Sequence, residues 1–122
     1  MQGRVPVILS APCCQHELAP QLDNPSLTGL LRHGLLRERF GAMLTDALRA
    51  AALEVCGYQT QLLEFIDLEH TPKNLLIRAL HREHPEQGRE ERIAQYRALR
   101  DAAGIKTFHL EQILTTAGLW PV

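Results

Sequence analysis

The sequence predicts an α/β fold on three observations: a β-branched apolar run near its start, a long stretch of helical periodicity after it, and two more strand-like segments followed by amphipathic helices. The order reads strand, helix, strand, strand, then two helices. With 122 residues, 45% of them hydrophobic, there is apolar surface for one core and so for one compact domain.

The first strand is read over Arg4–Ala11, an apolar run ended by Pro12 and suited to burial on both faces. Pro6 has no N–H to give a ladder, so this strand lies at an edge or pairs only beyond its start. Asn24 is a good N-cap and Pro25 fits the first helical position, so a helical stretch opens at about Ser26 and runs to Cys56, with Gly34 and Gly41 dividing or bending it. Within it Phe40, Leu44, Ala47, Leu48, Ala51 and Val55 recur every three or four positions, a face suited to packing on a sheet. Gly57 fits the left-handed position that ends helices.

Tyr58–Ile66 and Asn74–His81 read as the next strands. The connection between them, Asp67 to Lys73, is long for a tight hairpin and suited to a functional loop. Beyond Pro85 the chain turns charged and helical, with Ile93, Tyr96, Leu99 and Ala103 on one stripe, Gly104 as its stop, and a last helix from about Thr107 to Thr116.

Thirteen Lys and Arg against fourteen Asp and Glu leave a net charge of −1, so no bulk field draws the chain to nucleic acid or an anionic membrane. No basic n-region with an apolar run follows Met1, and no segment approaches the ~20 apolar residues of a membrane span, so a cytoplasmic protein without a membrane partner is expected. Three cysteines, Cys13, Cys14 and Cys56, make no disulfide framework and are expected as reduced thiols. Cys13, Cys14 and His16 lack the spacing of a zinc site, so no metal is expected.

Val7-Ile8-Leu9-Ser10-Ala11-Pro12-Cys13-Cys14-Gln15-His16-Glu17-Leu18 resembles the fifth-strand segment of a family of class I, Rossmann-like methyltransferases that carry a Pro-Cys-Cys loop. Phe65 to Ala79, with Glu69-His70-Thr71-Pro72-Lys73-Asn74-Leu75-Leu76-Ile77-Arg78-Ala79 at its centre, looks like that family's connection between its last two strands. The resemblance covers about residues 4–82. It implies a partial methyltransferase sheet made of strands five, six and seven, the last antiparallel and inserted beside the fifth, plus flanking helices. Residues 1–84 then correspond to the C-terminal half of the domain, and 85–122 to a helical extension packed on it.

The resemblance also implies S-adenosylmethionine as cofactor. The family's glycine-rich loop and ribose-binding acid belong to its first four strands, which have no counterpart here, and no Gly-x-Gly turn follows a strand. The expectation is a truncated methyltransferase relative, inactive alone, that meets an N-terminal half or a second copy through the exposed edge of its first strand. The alternative is a non-catalytic oligomerisation or binding module derived from that fold. Some relatives are associated with RNA modification, for which the charge gives no independent support.

Ligands of open α/β sheets gather at the C-terminal ends of the strands. The candidate residues for a substrate or cofactor pocket are therefore Pro12, Cys13, Cys14, Gln15, His16 and Glu17 after the first strand, and His70, Lys73 and Asn74 before the last. The plain readings are that the cysteines are small buried residues, that His16 and Glu17 begin a solvated helix, and that Asn74 and Lys73 serve a turn. Arg78, Arg82, Arg89, Arg92, Arg97 and Arg100 are interleaved with acids and read as a solvated face, and Trp120 as a packing anchor.

Overall fold

The structure, a computed structural model, describes residues 7–9, 17–65 and 74–120. Strands β1 (Val7–Leu9), β2 (Tyr58–Phe65) and β3 (Asn74–His81) form one sheet in the order β1-β3-β2. β3 is antiparallel to both neighbours, pairing Val7 with Ala79 and Leu9 with Ile77 on one side, and Tyr58 with His81 and Phe65 with Asn74 on the other. β1 and β2 therefore run parallel to each other with β3 between them, and the chain connects them through helices α1 (Thr28–Leu31) and α2 (Gly34–Val55). Helices α3 (Arg89–Ala102) and α4 (His109–Thr116) follow. The α/β class expected from the sequence is the class observed.

The long helical stretch is not one helix. Asn24 does act as an N-cap, its Oδ1 accepting the Ser26 N–H at 2.8 Å, but the turn it opens, Pro25–Leu27, is 3-10. One turn of α1 follows, and the chain breaks at Arg32 and His33 before α2 begins at Gly34. Gly41, by contrast, neither divides nor ends α2. A side chain there would place its Cβ 3.0 Å from the backbone and Cβ of Ala19, so its smallness serves close packing of Ala19 on the helix. Gly57, at φ 103°, and Gly104, at φ 75°, end α2 and α3 as read from the sequence.

The core is a single cluster in which Leu18 and Leu22 meet Leu31, Leu44, Leu48, Ala52 and Val55 of the α1–α2 segment together with Tyr96, Phe108 and Leu114 from the C-terminal part. Of the face predicted to lie on a sheet, Leu44, Leu48 and Val55 are buried, and much of what covers them is helical. On the sheet Ile77 and Ala79 are buried as well, paired in register with Leu62 and Thr60. On α3, Tyr96 is fully buried while Leu99 is 37% exposed, so Leu99 lies at the rim of the stripe rather than within it. α4 starts at His109, with Phe108 as its N-cap residue, two positions later than its periodicity suggests. Among the described residues no helix is long and apolar enough to cross a membrane.

Candidate functional site

β1 and β2 end, and β3 begins, at one end of the sheet, since Leu9 stands opposite Ile77 and Phe65 opposite Asn74. The segments that follow β1 and β2 leave from that end, where open α/β sheets bind ligands. Pro12, Cys13, Cys14, Gln15 and His16 on the first segment, and His70 and Lys73 on the second, lie outside the described residues. Asn74 opens β3 as the partner of Phe65, and Glu17 is the member whose side-chain contact is defined.

That contact is with α4. Oε2 of Glu17 accepts the backbone N–H of His109 at 2.6 Å, which satisfies a free amide of the first turn and sets an acidic group at the positive end of the helix. The residues after Glu17 continue the attachment. Gln21 donates from Nε2 to the carbonyls of Thr107 (2.9 Å) and Glu17 (3.4 Å), and its Oε1 accepts the N–H groups of Lys106 and Thr107, both at 3.0 Å. The Asp23 N–H and the Asn24 side-chain amide donate to the carbonyls of Ala103 (2.9 Å) and Ala102 (2.8 Å), two acceptors at the end of α3 that the helix itself leaves open. Sequence reasoning missed these partners because they lie 78 to 92 positions away, and no local pattern announces them.

A groove of about 620 Å³ runs along this junction, lined by Gln21, Asp23, Arg37, Lys106 and Thr107 among others. Arg37 is committed to the fold: its guanidinium donates to the carbonyls of Leu31, Ala19 and Leu22 at 3.1, 2.8 and 3.0 Å. Its donors therefore tie down the 19–22 turn and the end of α1.

A second polar cluster joins α3 to α4. The buried Tyr96 hydroxyl donates to Oε2 of Glu111 at 3.0 Å, and Nη1 of Arg100 reaches both Glu111 oxygens at 2.9 and 3.2 Å. Burial, together with the adjacent Glu111 carboxylate, pushes the Tyr96 phenol far above its ordinary range, so it stays protonated as a hydrogen-bond donor. Trp120 packs edge-on against the Tyr96 ring with 4.9 Å between centroids, the anchoring role read for it in the sequence.

The arginine row is not simply a solvated face. Arg92 donates to the carbonyls of Glu54 (2.9 Å), Gln87 (2.6 Å) and Pro85 (2.5 Å), and so closes the end of α2 and the turn before α3. Arg82 donates to the Tyr58 carbonyl at 3.3 Å and approaches Glu54 at 3.5 Å, and Arg100 is held by Glu111. These three guanidiniums serve the fold. The periodicity of their spacing could not show it, because the carbonyls they meet belong to other elements.

The described residues do not fit a cradle for S-adenosylmethionine. Such a cradle needs a glycine turn between a strand and a helix, with its amides open to the ligand. Gly57, Gly104 and Gly118 follow helices. Gly88 alone among the left-handed glycines stands between a strand and a helix, and there a Cβ would lie 3.1 Å from Nη1 of Arg92, so a guanidinium fills the turn. Among the described residues no group of three or more His, Cys, Asp or Glu is placed to hold a metal ion. The chain matches no protein-family model, and neither the curated proteins nor the solved structures contain a match to it.

Proposed function

We propose that these residues are the C-terminal, substrate-side portion of a class I methyltransferase-type domain, inactive alone, whose S-adenosylmethionine cradle is carried by a polypeptide segment outside them. The observation that carries this reading is topological. A strand antiparallel to both neighbours is inserted between two parallel strands joined by a crossover helix, and the segments bearing the two methyltransferase-like motifs leave from the same sheet end. In this reading Pro12, Cys13, Cys14, Gln15 and His16, with His70, Lys73 and Asn74, border the acceptor side of a pocket, and Glu17 holds the end of the first segment through His109.

A second reading, a non-catalytic oligomerisation or binding module, draws on a different observation. Among the described residues nothing fits the cofactor, and the outer edge of β1 meets no strand, which leaves backbone groups for another chain to pair. Either a second copy or a cofactor-bearing half would cover that edge.

Calorimetric titration with S-adenosylhomocysteine separates the two. The methyltransferase reading expects no binding by the chain alone, and binding once the N-terminal half of a methyltransferase with the same Pro-Cys-Cys motif is added in trans. A folded homodimer that binds nothing in either experiment favours the module.

A further inference from the structure

We propose that Glu54 and Arg82 guard the outer edge of β2, and that without this cover β2 pairs with β2 of a second copy of the chain. β2 is the edge strand on the side of the sheet away from β1, and among the described residues no strand meets its outer edge. The direction of its backbone groups follows from the ladder. The Arg82 N–H donates to the Gly57 carbonyl at 2.9 Å, and Tyr58 stands opposite His81. Gly57, Gln59, Gln61 and Leu63 therefore turn their backbone groups toward β3, and Tyr58, Thr60, Leu62 and Glu64 turn theirs away.

Two of these outward groups are taken by side chains from other elements. Oε2 of Glu54, in the last turn of α2, accepts the Thr60 N–H at 3.3 Å and the Thr60 hydroxyl at 2.6 Å. Nε of Arg82, the residue after β3, donates to the Tyr58 carbonyl at 3.3 Å, and its Nη2 lies 3.5 Å from Oε1 of Glu54, which joins the two covers into one. The cover given by this pair ends at Thr60. The half of the strand beyond it carries Leu62, 49% exposed, and Leu63, 38% exposed, one on each face of the sheet.

From Tyr58 to Phe65 the strand holds one charged residue, Glu64, and neither Pro nor Gly, a composition that pairs readily with its own kind at an open edge. A second copy is the partner that matches it in length and pattern. In an antiparallel pairing about a two-fold axis at Leu62, the two Leu62 side chains meet, and each Thr60 N–H donates to the Glu64 carbonyl of the second copy. That Thr60 bond is the one Glu54 takes up in advance. The inference concerns the edge opposite β1 and holds under either reading of the function.

Sedimentation of the full chain over a range of concentrations, with amide hydrogen exchange resolved by residue, tests the proposal. Glu54→Ala should associate at roughly tenfold lower concentration than the parent, the scale of one net hydrogen bond made available in each copy, with the Leu62 and Glu64 amides gaining protection as concentration rises. Adding Leu62→Lys, which sets like charges opposite each other at the two-fold axis, should return association to the parent's level. Thr60→Val keeps the β-branched shape and removes the hydroxyl bond that holds the carboxylate at the edge. It should shift association in the same direction by about threefold, and it carries the test if Glu54→Ala does not fold. Folded variants that associate as the parent does, association without protection at Leu62 and Glu64, or association that survives Leu62→Lys would each overturn the proposal.

Discussion

Glu17 and His109 stand 92 positions apart in the chain, yet the carboxylate of one caps the first amide of the helix that the other begins, at 2.6 Å. The residues that enter the core at Leu18 are therefore joined to the start of α4, which belongs to the same packed unit. Glu17→Ala should lower stability by about 1 kcal/mol, the usual scale for loss of an N-terminal cap, and Glu17→Gln by less because an acceptor oxygen remains. Urea unfolding of the three proteins measures both.

Tyr96 gives the fold a dependence on alkaline pH. Its folded-state value is raised above the ordinary 10.0, first by burial and then by Glu111, so the native chain holds a proton that the unfolded chain releases. The associated stability is complete below that ordinary value and declines as pH rises past it toward the folded-state value. Unfolding midpoints should therefore fall between about pH 9 and pH 11 in the parent and fall less in Tyr96→Phe, which should itself lose about 1 kcal/mol at neutral pH through the missing hydroxyl bond.

Two glycines with nearly the same φ separate conformational strain from collision. Gly104 and Gly118 have φ of 75° and 76°, but an added Cβ meets the Asp23 carbonyl oxygen at 2.4 Å in the first and nothing within 4 Å in the second. Gly118→Ala should cost about 1 kcal/mol for the left-handed conformation alone. Gly104→Ala should cost clearly more, and calorimetric melting of both variants gives the difference.

Arg92 serves three carbonyls from two turns. Arg92→Met keeps much of the side-chain stem and removes the donors to Glu54, Gln87 and Pro85, so a loss of about 2 kcal/mol or more is expected, with hydrogen exchange accelerated at the turn before α3. Unchanged exchange in that turn would mean that water replaces the guanidinium without loss.

What the sequence determined by itself is local. Asn24 as a cap, Gly34 as the division of the helical stretch, Gly57 and Gly104 as helix ends, β3 from Asn74 to His81, and the burial of Leu44, Leu48 and Val55 on α2 all depend on groups within about a turn of one another, which periodicity and residue type report directly. The common exit of both motif-bearing segments also followed from strand order once the resemblance was applied. The packing use of Gly41, the engagement of Arg92, and the partners of Glu17 and Gln21 were decided only by tertiary structure. A side chain that bonds a backbone group some eighty residues away leaves no period in the sequence. Its partner is set by which helix ends the common core brings within hydrogen-bond reach.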